Sequence, residues 1–216
     1  MIVYLHSFKD RYAGRTFSRH IGMDIRHINV PDSTELKDIA DVMVAGLNEE
    51  EQAAPEGLID LLVIVAPGGP GFFTLSGEPQ DEAFWIDEHS AETFASPFAR
   101  LLKPKNFLGE GVEIHGCGPG AAKIDPWTGE ASDPDSGHRF LMKLAGFFAH
   151  RVKASADAGL TGVDEDYEDS LLEAAPSTDV DGEAEIRIVR DVGSDAGSGA
   201  ASRLEAMCGV HLDPVR

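Results

Sequence analysis

Apolar positions in this chain take two forms, short unbroken runs and helically spaced stripes, and the two forms alternate. Ile2 to His6 reads as a short strand, and Ile25 to Val30, which alternates Ile, His and Val, reads as a second. Pro31-Asp32-Ser33 supplies helix-start chemistry ahead of Leu36, Ile39, Ala40, Val42, Met43 and Leu47, which recur at helical spacing. Asp60 to Ala66 is almost wholly apolar and is closed by Pro67-Gly68-Gly69-Pro70-Gly71, the pattern of a central strand buried on both faces. Phe72 to Leu75, set between glycines, predicts a short hairpin, and Glu82 to Leu102 a helix broken near Pro97. Val112 to Cys117 predicts the next central strand, His138 to His150 a helix with a broad apolar face, and Arg151 to Ser155 a further strand. Glu183 to Val192 alternates as an edge strand does, while Arg11 to Ile21 fits either a helix or an irregular connection.

Strands that alternate with helices call for a mostly parallel sheet covered on both faces, because parallel neighbours need crossover connections. The expected class is therefore α/β, a three-layer sandwich, with sites beyond the carboxyl ends of the strands. Pro67 to Gly71 and Gly116 to Gly120 lie at that edge.

A chain of 216 residues suffices for one sizeable core. No basic residue falls between Lys153 and Arg187, whereas Asp164, Glu165, Asp166, Glu168 and Asp169 cluster there. The expected organisation is a core over 1–162 and an acidic, partly flexible extension over 163–216 that packs on it.

The formal charge of −20 would repel nucleic-acid phosphates and anionic lipid headgroups, so neither is expected as a partner. A protein or peptide partner of basic character suits the charge, which also serves solubility. No segment approaches the roughly 20 apolar residues needed to span a bilayer. The start, Met-Ile-Val-Tyr-Leu-His, lacks a basic region and a small-residue cleavage site, so no signal peptide is expected. Two cysteines, Cys117 and Cys208, give neither a disulfide framework nor metal-ligand spacing. A reducing cytoplasmic setting is the simplest expectation, with a single bridge between them left open. No metal or other cofactor is expected; Asp164 to Asp169 lacks the glycine that a calcium loop needs at its sixth position, and Pro67 to Gly71 lacks the Gly-Lys-Ser/Thr ending of a phosphate loop.

The chemistry concentrates at Val-Glu-Ile-His-Gly-Cys-Gly-Pro-Gly, residues 112–120. A cysteine at the carboxyl end of a buried strand can be lifted towards solvent, with Gly68, Gly116 and Gly118 leaving room for backbone N–H groups to face an oxyanion. The same Gly-Cys-Gly turn also suits close packing of a buried thiol. A thiol nucleophile needs a base, and the candidates are His115, His138 and His89. His115 stands two residues before Cys117 on the same strand face, about 6 to 7 Å away by strand rise, which suits electrostatic influence better than proton transfer.

Three segments carry a resemblance. Leu61 to Gly77, Gly109 to Ala122 and Ser136 to Gly162 resemble, in order, the strand with Ser-His-Gly and hairpin, the strand ending in Gly-Cys-Asn, and the helix and Ala-Ser-Asp strand of caspase-like domains in bacterial surface proteins. The likeness spans roughly Ile25 to Gly162. It implies a caspase-haemoglobinase fold of the clan that also holds separases, gingipains and CHAT domains. There, a histidine ending one central strand activates a cysteine ending the next. Cys117 matches the nucleophile, but Ala66-Pro67-Gly68 stands in place of Ser-His-Gly, so Pro67 replaces the base. Proline has no proton to exchange. Asp157 matches best the acid that selects basic residues in the family, and an exposed loop carboxylate is its plainer reading.

The resemblance thus implies a catalytically impaired cysteine-peptidase homologue acting as a protein-interaction or structural module. Three alternatives stand beside it. One is an active cysteine peptidase for basic residues that uses a relocated histidine. A second is a PfpI-like or glutamine-amidotransferase-like hydrolase of small molecules, suggested by the Pro-Gly-Gly turn in Asp60 to Gly71, although 49 positions separate Gly68 from Cys117. The third is a non-catalytic subunit of a larger assembly, with Phe72, Phe73, Phe147 and Phe148 as candidate contacts.

Overall fold

The computed structural model describes residues 1–7, 16–17, 20–50, 57, 59–78, 80–104, 111–125, 127–155, 171–176 and 185–190. A mixed α/β architecture is built on a seven-stranded sheet in the order β12-β11-β10-β7-β3-β1-β2. The strands are β1 (Ile2–Ser7), β2 (Ile25–Val30), β3 (Leu61–Val65), β7 (Gly111–His115), β10 (Val152–Ser155), β11 (Leu171–Ala175) and β12 (Glu185–Arg190). β2, β1, β3, β7 and β10 run parallel. β11 is antiparallel to β10, and β12 to β11.

Connection geometry decides which face each crossover covers. The chain steps one way from β1 to β2 and the opposite way from β2 through β3 and β7 to β10, and right-handed crossovers in opposite directions cover opposite faces. The helices α1 (Ile39–Glu50), α2 (Ala91–Ala95) and α3 (Ser136–Phe148) accordingly share one face. Their Met43, Phe94, Phe140 and Leu144 pack with Val3, Leu5, Leu62, Ile64, Val112 and Ile114 of the sheet. The alternate positions, Ile2, Tyr4, Leu61, Val63 and Val65, form a second cluster on the other face with Phe17.

The principal core is rich in aromatics. Phe94 meets Phe73, Phe98 and Phe148 with ring centroids 5.6, 5.1 and 5.9 Å apart, mostly edge to face. Phe73 and Phe148 are fully buried in this core rather than offered for assembly, and Phe72 stacks on Trp85 with centroids 4.0 Å apart. Of the four phenylalanines considered for contact, only Phe72 and Phe147 are half-buried.

At three places the structure adds to the sequence pattern. The helix read over Glu82 to Leu102 is divided: short 3-10 turns at Glu82–Phe84 and Ser96–Phe98 flank strand β6 (Ile86–Asp87) and the five-residue α2. β6 joins β4 (Gly68–Gly69) and β5 (Phe72–Phe73) in a small antiparallel sheet, and the Asp87 carboxylate accepts from the N–H groups of His89 and Ser90 to turn the chain into α2. β11 and β12 extend the central sheet, with β12 at its edge inside the stretch read as an edge strand and Leu172 and Ala174 of β11 buried. Inside the polar stretch 124–137 lies a hairpin of β8 (Lys123–Ile124) and β9 (Ala131–Asp133), with Trp127 at its tip.

Candidate functional site

β3 and β7 pair in parallel register, with Val65 opposite His115. Pro67 and Cys117 each stand two residues beyond that last row, at the carboxyl edge of neighbouring strands. Strand spacing brings the two turns within about 5 Å of each other.

Small residues let these turns interlock. A Cβ on Gly116 would meet the Ala66 carbonyl oxygen at 2.7 Å, and one on Gly68 would meet the Phe72 oxygen at 2.6 Å. The amide of Ala66 donates to His115 O at 3.0 Å, that of Gly71 to Pro119 O at 3.1 Å, and that of Thr74 to Pro67 O at 2.9 Å. Gly118 has φ 69°, in the left-handed region that glycine enters without strain. The backbone of the turn is held from behind, since Gly120 N–H donates to Ser155 O at 2.9 Å. Gly137, at the start of α3, abuts Gly120 so closely that a Cβ there would lie 2.2 Å from Gly120 C and O. Close backbone approach therefore accounts for the glycines at 68, 116, 120 and 137 before any chemistry is invoked.

Cys117 is half-buried at the head of this turn and is disulfide-bonded, its partner lying outside the described residues.

The histidines near Cys117 in sequence occupy three unlike places. His115 is buried on the sheet face opposite the helices, where its Nε2 lies 3.4 Å from Glu113 Oε2 and its ring centroid 4.2 Å from that of Phe17. His89 is exposed in the turn before α2, 3.7 Å from Glu88 Oε1. His138 is half-buried in the first turns of α3. Asp157 lies outside the described residues, as does Asp164 to Asp169. Among the described residues no group of three or more His, Cys, Asp or Glu side chains is arranged to hold a metal ion, and no helix is long and apolar enough to cross a membrane.

The hairpin beyond the turn is firmly built. The Asp125 carboxylate accepts from the N–H groups of Trp127 at 2.7 Å and Thr128 at 3.1 Å, and Asp125 N–H donates to Glu130 O at 2.8 Å. Trp127 is 76% exposed, so the hairpin displays an indole to solvent.

Nearness to Cys117 in the chain singles out His89, His115 and His138 and passes over His6, His20 and His27. Period-2 alternation was the available signal, because it puts Tyr4 and His6 on one face of β1 and His27 on that face of β2.

No protein-family model matches the chain, and neither does any curated protein or solved structure.

Proposed function

We propose that the chain is a caspase-like three-layer domain that retains the nucleophile position, has lost the base, and serves as a protein-interaction or structural module rather than as a peptidase. Pro67 beside Cys117 carries this reading. The two residues end adjacent parallel strands at equivalent rows, which is the relation the resemblance requires of base and nucleophile.

Three further features support it. The parallel order β2-β1-β3-β7-β10 followed by an antiparallel strand agrees with the implied fold. The small sheet of β4, β5 and β6, directly after β3, agrees with the implied hairpin. Cys117 is disulfide-bonded, so its sulfur is not a thiolate nucleophile until reduced.

Peptide cleavage needs a proton taken from the thiol and one delivered to the leaving amine. Pro67 can do neither. The nearest histidine in sequence, His115, has its ring against Glu113 and Phe17. Incubation of the reduced protein with fluorogenic peptides bearing Arg or Lys before the scissile bond should release no more fluorophore than Cys117→Ala does. Turnover that vanishes in Cys117→Ala and in one histidine variant would establish the active peptidase instead.

The acidic surface points to a basic protein or peptide as partner, in keeping with the charge of −20.

A further inference from the structure

On the sheet face opposite the three helices, aromatic and imidazole rings take the place of aliphatic packing. His6, fully buried on β1, has its Nε2 2.9 Å from Nδ1 of His27 on β2, and the two rings are near-parallel with centroids 5.2 Å apart. His27 is exposed at its outer side, where its Nε2 lies 3.0 Å from Thr16 Oγ1. Tyr4 stacks beside both rings, 5.8 Å from His6 and 4.8 Å from His27. Its hydroxyl accepts from the Phe17 N–H at 3.0 Å and lies 2.6 Å from His20 Nδ1. Thr16, Phe17 and His20 are therefore fastened to the sheet through Tyr4 and the histidine pair, and Asp24 by Ile2 N–H donating to its carbonyl oxygen at 2.8 Å.

We propose that the His6–His27 pair is an acid-released latch, which holds residues 16–17 and 20–24 against the sheet and opens more often as pH falls, because the open state takes up protons that the closed pair excludes.

Proton counting gives the reason. A nitrogen-to-nitrogen hydrogen bond between imidazoles needs one N–H facing one lone pair. With both rings protonated, every ring nitrogen carries a hydrogen, so the two that now meet at 2.9 Å would oppose N–H to N–H and positive to positive. Among the described residues His6 has no other outlet, since its Nδ1 is buried without a hydrogen-bond partner there. The pair breaks by His27, the exposed member, swinging outward, and Thr16 leaves with it.

Among the described residues, the groups facing the pair are Tyr4 on β1 and Thr16 and His20 from the latched segment, with Glu113 and His115 of β7 on the same sheet face beyond them. Val63 and Val65 of β3 stand between the pair and the β7 groups. Consistent with this setting, burial foremost and then the charge of His27 push the His6 pKa down to about 4, and burial also lowers that of His27. A released imidazole binds protons near its ordinary 6.5, so acid favours release between about pH 6.5 and 4. For His6 alone, a fall from pH 7.5 to 5 displaces the latch equilibrium by about 30-fold.

The test is amide hydrogen exchange by NMR on the whole chain at pH 7.5 and 5, with rates divided by their intrinsic values. Protection at Phe17, His20 and Met23 should fall about 30-fold relative to Ile64 and Ile114 in the sheet. His6→Leu should flatten that response, and His89→Gln, remote from the pair, should retain it. Protection that falls equally in the sheet and the segment, or a full response surviving in His6→Leu, overturns the latch. Should His6→Leu not fold, imidazole nitrogen shifts of the wild type decide the matter: His6 must stay neutral at pH 5, and titration near 6.5 refutes the proposal.

Discussion

Three exchanges of glycine and alanine around α3 should have opposite effects on stability, and the spread is set by what lies within a few ångströms of each site. At Gly137 a new Cβ would stand 2.2 Å from Gly120 C and O and 2.5 Å from Ala121 O, all backbone. Restoring an ordinary contact of about 3.5 Å moves helix or turn by more than about 1 Å. Overpacking of this kind costs about 1 to 3 kcal/mol, against a helix-propensity gain below about 1 kcal/mol, so Gly137→Ala should lose about 2 kcal/mol. At Gly146, in the same helix, nothing lies within 4 Å, and Gly146→Ala should gain up to about 1 kcal/mol. Ala149 caps the helix with φ 55°, a left-handed conformation that L residues disfavour, so Ala149→Gly should also gain up to about 1 kcal/mol. Urea titrations and thermal melts measure all three. At this chain length, Gly137→Ala should lower Tm by roughly 4 to 8 °C and the other two should raise it by a few degrees. A Gly137→Ala variant as stable as the wild type would mean that α3 does not sit on the turn that follows Cys117, and the close-packing account of those glycines would fail with it.

Further outcomes are expected. Phe94→Ala, which empties the centre of the aromatic core, should cost about 3 to 5 kcal/mol in urea unfolding. The lowered pKa of His6 makes the unfolded chain the better proton acceptor, so its contribution to stability is intact above pH 6.5 and is lost as pH falls towards about 4. Unfolding free energies across that window should drop by about 3 kcal/mol from this group, and less in His6→Leu. Thiol titration in denaturant should find no free thiol before reduction and two after it, because no described cysteine is free and the sequence has two.

The parts of the fold legible in the sequence were those specified by residues close together in the chain. Leu61 to Val65 is apolar at every position because both its faces are covered, and the stripe from Phe140 to Phe148 fixes the buried side of α3 within one element. Local periodicity reads Glu82 to Leu102 as a helix broken near Pro97 and misses β6, because the pairing of Ile86 and Asp87 with Phe73 and Phe72 is a contact between distant positions. β11 was hidden for a related reason: Leu171 to Ala175 stands among acidic residues, and only the free edge of β10 makes it a strand. At the site, the sequence located Cys117 and Pro67 just past the ends of two strands, since both are matters of residue identity. It missed the imidazole pair, because His6 and His27 meet only through the parallel register that sets Tyr4 opposite His27.

The hairpin that displays Trp127 gives the molecule a built-in optical contrast. The chain has two tryptophans; Trp85 is half-buried and stacked on Phe72, whereas Trp127 stands in solvent. Acrylamide should therefore quench red-shifted emission first, leaving a bluer residual signal from beside the small sheet. A ligand covering the hairpin would reverse that order, so the intrinsic fluorescence of the unlabelled protein can report whether a basic peptide lands at this end of the sheet.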